Sequence, residues 1–175
     1  HKKLWIAIIV LLLLVFSGSF LVSTVSAKSY LEQQISMKNA DNAAALALSL
    51  TQQGADDILL ELTLSAQFDT GFYELIELRD PEGKLKILRQ DEQPIDQAPS
   101  WFVTAFEINV DAGIATVQSG WQQVGTLTLR SHSKFAYERL WQSAQMLALI
   151  FLVAMLISGF LGGQVLKRIL KPLDD

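Results

Sequence analysis

Two stretches of the chain carry no charge at all, Leu4 to Ala27 and Ala144 to Leu166. Each is longer than the ~20 apolar residues a helix needs to cross ~30 Å of hydrocarbon. The pattern predicts two transmembrane helices, at 4–27 and 144–166. Lys28 to Ser143 lies between them, long enough for one real core but not for two.

Inside that middle segment the apolar period changes several times. Leu31 and Ile35, then Ala43, Leu46, Ala47 and Leu50, recur at helical spacing, with no Pro or Gly before Gly54. One helix is predicted over roughly 28–52, continuous with the first span. Asn39 and Asn42 interrupt its stripe; they read either as solvated side chains or as polar positions that fix register in a helix pair. Asp56 and Asp57 suit the positive end of a second helix near 56–67, with Leu59, Leu62 and Ala66 as its apolar face. The run Phe72 to Leu78 half-alternates, and Leu85 and Ile87 return after Asp80-Pro81-Glu82-Gly83. Pro presets the turn, Asp bonds back to the backbone and Gly ends it, so this is a hairpin.

Asp91 to Ser100 is polar, holds Pro94 and Pro99, and reads as a loop. WFVTAFEINV, from Trp101, fits a short helix or a strand. GIATVQS and WQQVGTLTLRS form a second hairpin about Ser119-Gly120. From Ser133 the helical period returns through Tyr137, Leu140, Trp141 and Ala144. Trp141 stands just before the second span, where indole rings favour the interface. Within that span Gly159 and Gly163 are spaced to let two membrane helices approach closely. The class is α+β, its long flanking helices continuous with the two spans.

Charge sets the orientation. His1-Lys2-Lys3 precede the first span, and Lys167, Arg168 and Lys171 follow the second. Basic residues gather on the cytoplasmic side of short flanks, which puts both termini inside and the middle segment outside. That segment has nine Lys and Arg against sixteen Asp and Glu, a balance of −7, which argues against nucleic acid. Val25-Ser26-Ala27 would also serve as a signal-peptide cleavage site, but the uncharged run of 24 residues is longer than a usual signal core and favours a retained anchor. Intact mass of the mature protein separates the two.

The residue types of an active site are sparse. The chain has no cysteine and two histidines, His1 and His132, and it carries no metal-binding spacing, phosphate-cradling loop or GxSxG elbow. His132 reads as a cap or loop residue. A sensor or interaction module between two membrane helices is the non-enzymatic reading that remains.

Trp121 raises a sharper question. Alternation gives it the parity of Leu127 and Leu129, which points inward. Its place beside the Ser-Gly turn points outward, and Gly125 could permit a bulge that breaks the alternation.

Three stretches in order, Leu4 to Leu50, Ala66 to Leu85 and Ser119 to Trp141, resemble the LapD family of bacterial inner-membrane cyclic di-GMP receptors. The resemblance implies a PAS-like periplasmic output domain, here 28–143, and a HAMP linker opening at 167–175 with Pro172 in it. Cyclic di-GMP is expected on the family's cytoplasmic domains, so no cofactor is assigned in this segment. It further implies a homodimer whose periplasmic domain captures a cysteine protease, LapG, and so protects a surface adhesin and promotes biofilm formation. The family's contact tryptophan matches Trp121, which makes Ser119, Gly120, Trp121 and Gln122 the expected partner-binding residues. The same topology also serves small-molecule sensor domains of histidine kinases, cyclases and chemoreceptors. A cavity with convergent polar groups would favour that alternative.

Overall fold

The computed structural model describes residues 2–54 and 56–170. Eight elements follow one another: α1 (Lys2–Gln52), α2 (Asp57–Phe68), β1 (Tyr73–Arg79), β2 (Leu85–Gln90), α3 (Ser100–Ala105), β3 (Gly113–Ser119), β4 (Gln122–Ser131) and α4 (Lys134–Leu170). WFVTAFEINV thus opens as a helix. The chain divides into two compact units, residues 1–27 with 142–175, and Lys28–Trp141.

The first unit is the pair of apolar helix segments. Both α1 and α4 are long and apolar enough to cross a membrane. Leucines, isoleucines and valines on all sides of them stand exposed, Leu14 and Val22 by about two thirds, as suits helices whose solvent is lipid. Phe16 and Phe151 pack with ring centroids 5.6 Å apart. A Cβ on Gly162 would meet the Trp5 ring at 3.6 Å, whereas Gly159 and Gly163 face open space.

The second unit is an α+β domain built on a four-stranded antiparallel sheet of order β2-β1-β4-β3. Ile76 pairs with Leu129 and Leu78 with Leu127 across β1 and β4, while Val117 of β3 lies opposite Gly125. These side chains share one face of the sheet and meet Ala43, Leu46, Ala47 and Leu50 of α1 and Leu60 and Leu64 of α2. Alternation puts Glu77, Thr126 and Thr128 on the other face, where they stay at least partly exposed. The arrangement is the α+β one expected, an antiparallel sheet with helices packed on one face.

Two aspartates close the ends of local elements. Asp56 accepts a hydrogen bond from the Ile58 backbone N–H at the start of α2. In the β1–β2 turn the Asp80 carboxylate accepts from the N–H groups of Glu82 and Lys84, and Gly83 takes φ +87°.

A second apolar cluster sits against α3. Phe102 is fully buried, its ring 5.0 Å from Phe106 and 4.9 Å from Trp141. The Tyr137 hydroxyl accepts the Ile108 N–H at 2.9 Å, joining α4 to the segment after α3.

Three expectations need correction. The buried face of α2 is Leu60 and Leu64; Leu59 and Leu62 are exposed, as is Ala66. A helix reading DILLELTLSAQF offers two apolar stripes, and the sheet takes the one beside Asp57 and Glu61, which pair with Lys86 and Arg89 of β2 at 3.4 and 3.3 Å. Asn39 is neither solvated nor facing a helix: it is fully buried, and its amide donates to the Asp111 carbonyl at 3.1 Å. At that point Gly113 approaches so closely that a Cβ would lie 1.9 Å from the Asn39 carbonyl oxygen. The second hairpin turns on Gly120 and Trp121, because Ser119 already pairs with Gln122.

Candidate partner-binding site

β3 and β4 are joined by a two-residue turn. Gly120, at φ +62°, occupies the first central position, the place that a type II′ hairpin turn gives to glycine because no side chain obstructs it. Trp121 is the second central residue. With no strand partner and nothing above it, the indole is 105 % exposed, more than in an extended reference peptide. Gly120, Gln122 and Gln123 are exposed around it, and Ser119 is half-buried at the last pair of the ladder. The four expected contact residues therefore lie together at one tip, with the apolar group outermost.

The inward parity fails for a specific reason. Gly125, Leu127, Leu129 and Ser131 alternate inward without a break. The register then shifts: Val117 lies opposite Gly125, but Gln118 lies opposite Gln123, so Val124 is an extra residue on β4. A bulge of this kind reverses which side chains face the core. Gly125, the residue after the bulge, leaves no room for a side chain, since a Cβ there would stand 2.1 Å from the Arg79 carbonyl oxygen of β1. Its half-buried neighbour Val124 packs against the core, and Trp121 is released from it.

The hairpin is also fastened to a helix. The Thr51 hydroxyl donates to the Ala47 carbonyl at 2.8 Å and accepts the Gln118 N–H at 3.2 Å. Three residues from the tip, β3 is thus tied to the last turn of α1. Sequence reasoning missed Thr51, and no local signal marked it, because its partner is 67 residues away.

At the other end of the sheet Tyr73 is buried, which pushes its phenol above the usual value of 10.0, while a hydrogen bond with Asn42 pulls it back down. His132 is buried in the loop before α4, and its N–H donates to the Phe72 carbonyl at 3.0 Å.

Comparison with known families gives this geometry a context. Residues 20–141 match the LapD/MoxY periplasmic domain. The chain belongs to that family. A solved structure of the LapD periplasmic domain of Pseudomonas fluorescens is 34% identical to it, over 71% of this chain and 98% of that one, with a TM-score of 0.40. No curated protein matches the chain. LapD/MoxY domains are periplasmic receptor domains. With the two candidate spans, this makes the chain an inner-membrane signalling protein whose Lys28–Trp141 unit is periplasmic.

Proposed function

We propose that the periplasmic domain binds and sequesters a LapG-like cysteine protease through the β3–β4 tip, with Trp121 as the anchor. On this reading the chain is a non-enzymatic receptor, dimeric in the membrane and cytoplasmic at both ends. Its first span is retained as an anchor. Binding of cyclic di-GMP to domains beyond the second span sets its affinity for the protease, and so adhesin retention. The HAMP linker read at 167–175 falls partly on 171–175, outside the described residues.

The observation that carries the reading is the full exposure of Trp121. A tryptophan without any intramolecular contact contributes nothing to the fold, and exposed tryptophans are among the residues most enriched at interface hot spots. The Thr51 tie gives a route for the signal: α1 is one helix from Lys2 to Gln52, and a shift of its last turn acts directly on the hairpin.

The test is affinity for the purified protease, measured by titration calorimetry with the chain in lipid nanodiscs. Trp121→Glu should weaken binding by about thirtyfold or more, the equivalent of ~2 kcal/mol. Equal affinity in wild type and variant, both folded, would remove Trp121 from the interface.

A further inference from the structure

A second set of side chains converges at the far end of β4. A cavity of about 180 Å³ is bounded by α1, the residues that open β1 and close β4, and the start of α4. Phe72 and Phe135 form an aromatic wall, stacked with centroids 5.9 Å apart and planes 19° from parallel. Lys38 of α1 sets its ammonium 5.0 Å above the Phe72 ring. Arg139, four residues after Phe135, lies on the same face of α4 and also lines the cavity.

Two features show that the place is more than a surface dent. Ser131 and His132 line it while each is only 4 % exposed, and the Ser131 hydroxyl has no hydrogen-bond partner. The charge is also one-sided. Among the described residues no carboxylate lines the cavity, and neither Lys38 nor Arg139 takes part in an ion pair.

We propose that this cavity binds a small organic carboxylate with a flat apolar body. The carboxylate would lie between the exposed cations Lys38 and Arg139, the guanidinium offering the planar fork that suits it. The body would lie on the Phe72–Phe135 wall. The volume is well below the ~300 Å³ at which pockets for drug-sized ligands begin, which restricts the ligand to a small acid. An inorganic anion would leave the aromatic wall uncovered. Because Lys38 is on α1 and Arg139 on α4, the ligand bridges the two helices that run on into the spans. It therefore acts as an external input, favouring whichever helix pairing it binds better.

This inference rests on the cavity and is independent of the protease. The experiment is calorimetric titration of the chain in nanodiscs with sodium benzoate. Benzamide (the same body uncharged) and acetate (the same charge without the body) serve as comparators. Benzoate should bind at least about tenfold more tightly than either, and Lys38→Gln and Arg139→Gln should each weaken it by about tenfold, as expected for one charge-assisted hydrogen bond. Both side chains are exposed, so the variants keep the fold, which thermal unfolding checks. Absence of benzoate binding, equal binding of either comparator, or undiminished binding by the folded double variant would each overturn the proposal.

Discussion

The two hairpins of the periplasmic domain solve the same geometric problem with opposite chemistry. In β1–β2 the turn is polar and self-contained: Asp80 satisfies two backbone N–H groups, and Gly83 accepts a hydrogen bond from Arg79 and takes the left-handed conformation. In β3–β4 the turn is reduced to two residues, and one of them is a fully exposed tryptophan. The first turn serves the fold. The second holds a large apolar group in water, which the fold does not require. The residues of β4 below the tip, by contrast, belong to the core, and the bulge at Val124 lies between them and the tip.

That separation can be broken from its structural side first. Leu129 is fully buried between Ile76 and Gly113, and Leu129→Ala should cost ~2–5 kcal/mol of stability, read as a lowered midpoint of thermal unfolding. Gly125→Ala forces a Cβ against the Arg79 carbonyl. It should cost ~1–3 kcal/mol by the same measure and disturb the bulge on which the exposure of Trp121 depends. Asp80→Ala removes the acceptor of the first turn and should cost about 1 kcal/mol, without effect on partner binding.

The comparison is sharpest at its smallest effects. Trp121→Ala should change the unfolding midpoint by less than the equivalent of ~0.5 kcal/mol, since the side chain touches nothing, yet weaken protease capture by at least about tenfold. A large loss of stability would show that the indole is part of the fold. At the opposite end of the sheet, burial raises the Tyr73 phenol above 10.0, so the folded state holds that proton more tightly than the unfolded one. The stability this represents is present below pH 10.0 and falls as pH rises through the raised value. Tyr73→Phe should remove that alkaline loss in unfolding measured from neutral pH upward.

Much of this was legible along the chain. The helix over 28–52, the start of α2 at Asp56 and Asp57, the two hairpins and the return to helix at Ser133 follow from period, helix-end charge and turn residues, which act within a few positions. The α2 face was misread because its leucines satisfy two stripes equally, and only contact with the sheet chooses between them. Asn39 was not placed, because its partner Asp111 is 72 residues away. The tip residues were identified through family resemblance, whereas alternation alone would have turned Trp121 inward.

By itself the sequence determined the uncharged runs, the helix continuous with the first, and the turn chemistry of the first hairpin, since hydrophobic length and backbone preference are local properties. The tertiary structure alone decided that β4 bulges at Val124, that Thr51 holds the hairpin to α1, and that Lys38, Ser131 and Arg139 share one cavity. Each of these depends on segments far apart in the chain coming within a few ångströms, and no local period encodes such distances.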